Sequence, residues 1–308
     1  MNFTFIHVNL AFPHRLLHPT RRKALTVMVN KQPHTRTPSF LAGRAAPRLL
    51  TTATVAGVVA VVTVLGTSSA GAADPNVAPG GNFDLAVWQL QEPVGSPGSP
   101  TTISSARLQG ANGYQDAYFY TDTRDGAMTF WAPEKGVTTP NSNYARSELR
   151  EMNRGGSAAN WSLSGSHRLS ATLRVVSVTS NVCVGQIHLG SGGTSTKPLV
   201  ELYYRASGDI VVGTENSPSG GQTTHTVGHV AVGKTWTYTI AVSGGDTIDL
   251  TVNGSTTHYA IPSSFFPYKQ YFKAGSYNQS SSESTTKGAR VAFTGLQGAH
   301  GCPPGGPG

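Results

Sequence analysis

Three charged residues recur at every second position in the stretch Arg146-Ser147-Glu148-Leu149-Arg150-Glu151. In an extended chain successive side chains alternate between faces, so Arg146, Glu148 and Arg150 share one face while Ser147, Leu149 and Glu151 share the other. A face of that kind meets solvent or a charged ligand. The same spacing places Gln186 beside His188, with Cys183, Gly185, Ile187 and Leu189 expected on the opposite, core-directed face. A third stretch puts Tyr271, Lys273, Gly275, Tyr277 and Gln279 together, with Phe272, Ala274 and Ser276 behind them. Each strand alone reads as the solvated face of a sandwich. Together they supply guanidinium, amide, imidazole, ammonium and phenol groups with a single carboxylate, a set that suits a polyanion. His188, with an ordinary pKa of about 6.5, can act as a neutral base near neutral pH. Tyr277 can donate to an oxygen, or accept a proton if nearby cations favour its phenolate.

The elements that must carry these residues are strands. No stretch has a convincing helical apolar period, whereas Trp236, Tyr238, Ile240 and Val242 alternate with Thr237, Thr239 and Ala241. Asn253-Gly254 between two alternating runs predicts a tight hairpin. Further strands are predicted at about 170–178, 182–189, 199–205, 209–213, 269–277 and 289–296. The fold class that follows is all-β, an antiparallel β-sandwich of jelly-roll type. A single domain is expected over residues 73–298, with a loose tail at 299–308 rich in Gly and Pro.

The formal charge of +8 suggests a nucleic-acid or membrane partner until its location is considered. Residues 1–72 hold eight of the 23 Lys and Arg and no acidic residue, which leaves 15 basic against 15 acidic residues in the remainder. The balance of the chain is therefore neutral overall. Arg44 and Arg48 precede an apolar run from Leu49 to Leu65, followed by small residues in which Ala70 and Ala72 fit a signal-peptidase site. Residues 1–72 read as a leader with a secretory signal peptide, cleaved after Ala72 or Ala73, with Met28 an alternative true start. A membrane anchor is the other reading of the run, which is slightly short of a span and contains several Thr and Gly. The expected localisation is extracellular, with no nucleic-acid partner and no stable membrane association after cleavage. Cys183 and Cys302 could form a disulfide in that compartment or remain free, and two cysteines make no metal site.

The three ordered motifs, from Arg146 to Glu151, Gln186 to His188 and Tyr271 to Gln279, resemble the signature strands of the alginate lyases of polysaccharide lyase family 7. The resemblance runs from about Phe83 to Leu296 and includes the approach to the first motif from Asp125 onward. It implies a jelly roll whose concave sheet forms a substrate groove, and a monomer that depolymerises alginate by β-elimination without a metal or organic cofactor. In that reaction the proton on C5, beside the uronate carboxylate, is removed and the C4 oxygen expelled. The resemblance implies that Arg146 and Gln186 hold the carboxylate. It implies that Tyr277 is base and acid for mannuronate, and that His188 is the base for guluronate. Arg150 and Lys273, with Gln279 after them, would line neighbouring subsites, and Glu148 would hold the two arginines in place. Ile187 within the second motif leans the preference toward guluronate-containing blocks, and endolytic action is expected.

Other classes stay open from the residues alone. A carbohydrate-binding module could share the sandwich, but it has little need of His and Tyr beside a carboxylate clamp. A jelly-roll glycoside hydrolase needs two carboxylates flanking the bond, and Glu148 has no acidic partner on the three motif strands. A lyase for another polyuronate such as glucuronan would use the same groups. His225, His229 and His258 have no metal-ligand spacing and receive no chemistry.

Overall fold

The computed structural model describes residues 73–301. The leader, its cleavage signal and Cys302 lie outside the described residues. The strands are β1 (Trp88–Ser96), β2 (Ser99–Ile103), β3 (Phe119–Thr121), β4 (Met128–Pro133), β5 (Arg146–Glu151), β6 (Ser166–Val178), β7 (Asn181–Leu189) and β8 (Pro198–Arg205). They continue with β9 (Asp209–Glu215), β10 (Gln222–His229), β11 (Thr235–Ser243), β12 (Thr247–Val252), β13 (Ser255–Ala260), β14 (Gln270–Asn278) and β15 (Gly288–Gly301). Two single-turn helices, α1 (Pro79–Asn82) and α2 (Ser105–Leu108), flank the first hairpin.

The strands form two antiparallel sheets, of order β10-β9-β8-β7-β14-β5-β1-β2 and β13-β12-β11-β6-β15-β4-β3. The expected β-sandwich is present. Alternation explains the second sheet directly: in β11 Trp236, Tyr238, Ile240 and Val242 are buried while Thr235 and Thr237 are exposed. The inward residues of both sheets meet in one core that includes Trp88, Leu90, Phe130, Leu149, Ile187, Tyr238, Phe272 and Phe293. Full burial of such side chains contributes roughly 1.5–3 kcal/mol each. The Asn253-Gly254 turn joins β12 to β13, and both residues have positive φ (48° and 84°), as the tightest hairpin turn requires.

The first sheet behaves differently, because its central strands β5, β7 and β14 are largely buried on both faces. The core covers one face, and the polar motif residues crowd the other. The C-terminal end also differs from expectation, since β15 pairs with β6 as far as Gly301, three residues into the segment expected to be a tail. Gly298 and Ala299 carry no apolar alternation, but backbone pairing needs none. His300 pins the strand end through its Nε2, 2.5 Å from Glu151 Oε1, and its Nδ1, 2.8 Å from His167 Nδ1.

Candidate active site

The pairing of β14 with β5 sets Lys273 opposite Arg150, Gly275 opposite Glu148 and Tyr277 opposite Arg146. On the other edge of β14, Lys273 faces Gln186 and Tyr271 faces His188. Directly opposed residues share a sheet face, so the three motifs predicted from sequence converge on one groove. Its volume is about 490 Å³, and Arg146, Glu148, Arg150, Gln186, His188, Tyr271, Lys273, Tyr277 and Gln279 all line it.

Glu148 is the hub, with no solvent exposure. Its Oε1 accepts from Gln186 Nε2 at 2.5 Å, and its Oε2 lies 2.5 Å from Lys273 Nζ and 3.3 Å from Arg146. Burial alone would raise its pKa, but Lys273 and Arg146 outweigh it and hold the carboxyl below its usual value. The expectation that Glu148 holds both arginines is therefore half corrected. Its second cation is Lys273. Arg150 instead donates to the Glu151 carbonyl at 2.8 Å and lies 4.0 Å from the centre of the Tyr271 ring, its diagonal neighbour on β14, while Lys273, directly opposite Arg150, takes the place beside Glu148.

The two proton-transfer candidates stand on either side of this cluster. His188 donates from Nδ1 to the Leu189 carbonyl at 2.9 Å, which leaves Nε2 as the nitrogen with a free lone pair. Its ring stacks on Tyr271 at 5.1 Å. Burial, and then the charge of Lys273, lower its pKa to about 3, so the imidazole is neutral at ordinary pH. Tyr277 packs under the Arg146 guanidinium at 3.7 Å, and its hydroxyl lies 2.9 Å from Ser142 Oγ. Burial raises its pKa, while Arg146 and Ser142 pull the other way. Lys273 is lowered to about 8, chiefly by burial and then by Arg146. Gln279 spends its amide on the backbone oxygens of Tyr277 and Asn278, both at 3.2 Å.

Cys183 does not sit where strict alternation put it. The register of β7 against β8 shifts between Cys183 and Gly185, so Val184 is an extra residue. Val182 and Val184 belong to the core, and a Cβ on Gly185 would also point inward, 2.6 Å from the Tyr238 hydroxyl. Cys183 is instead opposed to Tyr277 on one side and Tyr203 on the other, beneath the groove floor and fully buried. Burial, followed by Glu201 and Glu148, pushes its thiol well up. Its pairing with Cys302 lies outside the described residues.

Several groove residues were not singled out from the sequence. Gln89 and Gln91 line it from β1, and their alternation with Trp88 and Leu90 was a readable signal. Ser142 and Lys197 come from loops, where no period marks them. Glu201 on β8 and Glu215 on β9 bring acid to the far side of the groove. Glu201 accepts from Tyr203 Oη at 2.5 Å and from Gln222 Nε2 at 2.9 Å. Burial raises the pKa of both glutamates, and the charge of Glu201 raises that of Glu215 further. The groove thus holds more than the one carboxylate counted on the motif strands. Chemically it combines a carboxylate-binding cluster, a neutral imidazole and a phenol within one partly desolvated space.

Known proteins share sequence and fold with this chain. A family profile described as "Alginate lyase" matches residues 83–300. The chain is 30% identical over 287 residues to an alginate lyase of Klebsiella pneumoniae, covering 73% of this chain and 92% of that protein. It is similar to the crystal structure of alginate lyase A1-II', described as a member of polysaccharide lyase family 7, with 35% identity and a TM-score of 0.66 over 73% of this chain and 99% of that one. An alginate lyase from Pseudomonas aeruginosa is 33% identical with a TM-score of 0.66, covering 71% and 100% of the two chains. Substituted forms of the A1-II' enzyme have also been solved with a substrate written GGMG and a product written GGG.

Proposed function

The chain belongs to the alginate lyases of polysaccharide lyase family 7, and from that premise we propose that it is an exported enzyme cutting alginate internally by β-elimination, with guluronate-containing blocks preferred. The observation that carries the chemistry is the pairing of a neutral His188 and the phenol of Tyr277 on either side of the Arg146–Glu148–Lys273–Gln186 cluster. The uronate carboxylate enters beside Arg146 and Gln186. Their donors offset the charge that builds on it as the C5 proton leaves, and such donors are worth about 2.7–4 kcal/mol each in comparable sites. His188 Nε2 or Tyr277 Oη takes that proton, according to the side of the ring on which it lies. Tyr277 then protonates the O4 leaving oxygen as the C4–O4 bond breaks and C4=C5 forms.

Endolytic action is supported by groove residues drawn from β1 across to β9, a span long enough for several sugars. The guluronate preference rests on Ile187, a residue packed in the core, so its influence acts through the placement of Gln186 and His188. Export rests on the leader sequence. The test is to follow the ultraviolet absorbance of the conjugated uronate on polyguluronate, polymannuronate and polyglucuronate separately, and to size the products. A faster rise on polyguluronate with a ladder of oligomers is expected. No rise on either alginate block would overturn the proposal, and a rise on polyglucuronate alone would move it to another polyuronate.

A further inference from the structure

Ser142 lies in the loop between β4 and β5, half-buried, with Oγ 2.9 Å from the hydroxyl of Tyr277. That same Oγ accepts the backbone N–H of Tyr144 at 3.1 Å and lies 3.1 Å from the Tyr144 carbonyl oxygen. The Tyr144 ring meets the Tyr277 ring edge-on at 6.5 Å, so the loop is packed against the phenol. A serine hydroxyl has one proton and two acceptor pairs. While Tyr277 is protonated, its O–H can donate to Oγ and the serine proton can go to the Tyr144 carbonyl. Once Tyr277 is a phenolate, rotation about one bond turns the serine proton onto it. The Tyr144 N–H anchors Oγ in both arrangements.

We propose that Ser142 is a positioning residue for the elimination, reversing its hydrogen bond as Tyr277 loses and regains its proton and thereby stabilising the phenolate. This rests on the lyase reading given above. Whether Tyr277 takes the C5 proton and passes it to O4, or only donates to O4 while His188 takes the C5 proton, it passes through the phenolate once per turnover. The other titratable groups around Tyr277 are Arg146 and Glu148 from β5, Lys273 on its own strand, Cys183 opposite it on β7, Glu201 from β8 and Tyr144 from the loop. Of these, the two carboxylates oppose ionisation and Arg146 favours it. Ser142 adds to Arg146, and unlike a fixed charge it can also serve the protonated state.

The experiment is kcat and KM against pH for the full chain, Ser142→Ala and Ser142→Thr, on polymannuronate and polyguluronate, with thermal melting as a control. Ser142→Ala should lower kcat about tenfold at neutral pH, the size of one hydrogen bond to a charged group, with KM little changed. The acid limb of the profile should move to higher pH on the block for which Tyr277 is the base. Ser142→Thr, which keeps the hydroxyl, should restore both. A fall in kcat without movement of the limb, or a threonine variant no better than alanine at equal melting temperature, would overturn the proposal. Absence of unsaturated product with the unsubstituted chain would instead overturn the lyase reading beneath it.

Discussion

The two sides of the groove handle charge in opposite ways. On β5 and β14, Glu148 is wholly buried and met by Arg146, Lys273 and Gln186, so its carboxylate is held ionised. On β8 and β9, Glu201 is also buried but has only the neutral donors Tyr203 and Gln222, and the buried Glu215 Oε2 has no hydrogen-bond partner among the described residues. Their proton affinities rise. Burial is common to both sides, and the partner decides the outcome. One side therefore presents cations balanced by a fixed anion, and the other presents carboxyl groups that hold their protons longer. A polyanion crossing the groove meets attraction first and a weak, pH-dependent resistance after it.

The largest effect expected breaks the cationic side. Arg146→Ala should reduce kcat by about 10²–10³, because it deletes a charged donor aimed at the carboxylate where charge develops. Arg146→Lys should recover little, since an ammonium lacks the planar fork. Initial rates of unsaturated-uronate formation check both variants.

The next removes the anion that the cations share. Glu148→Ala leaves Arg146 and Lys273 enclosed without their counter-charge, which costs about 3–5 kcal/mol in comparable buried pairs. Urea unfolding should report this loss of stability. Glu201→Ala on the other side leaves no cation unpaired and should cost clearly less. Equal losses would erase the distinction between the two sides.

The cationic side of this contrast was legible in the sequence and the acidic side was not, and the gaps have physical causes. Alternating polar residues in β5, β7 and β14 identified the groove face, and the Asn253-Gly254 turn was placed as expected. The bulge at Val184 was not readable, because an extra residue in a strand carries no compositional mark, and it moved Cys183 from the core to beneath the floor. The sequence points to Arg150 rather than Lys273 as the second partner of Glu148, because same-strand spacing is visible in a sequence and cross-strand register is not. Glu201 sits in the run Pro198-Leu199-Val200-Glu201-Leu202-Tyr203, where a lone acid among apolar residues was a signal that went unused. Ser142 belongs to a loop, where position follows from tertiary packing rather than period.

His188 lies on β7 between the two sides, where burial and the nearby cations act on it together. Burial and the cations lower its pKa to about 3, against about 6.5 in the unfolded chain. The unfolded state therefore binds the proton first, so this group's contribution to stability is full above about pH 6.5 and is lost as pH falls toward about 3. His188→Asn removes the titrating group and should flatten the urea midpoint across that window, although it also impairs turnover. A midpoint that falls as steeply with acid as before would mean that the titration of His188 does not set the acid response across that window.

The smallest effect tests the acidic side directly. Glu201→Gln keeps the shape and most of the acceptor capacity toward Tyr203 but removes the charge that appears as the carboxyl ionises. If that side faces bound alginate, KM should fall about threefold at low ionic strength, since a like charge is withdrawn from the path of a polyanion. The advantage should widen as pH rises, because the native carboxyl, lifted by burial, ionises later than an exposed one. Added salt should narrow it through screening. Glu215→Gln should act in the same direction, and the two together should add unless their mutual repulsion already keeps one protonated, in which case the second substitution gains little. KM values that match the unsubstituted enzyme at every pH would place the sugar chain over β5, β14 and β7 alone, and the acidic wall would then shape the groove without touching its contents.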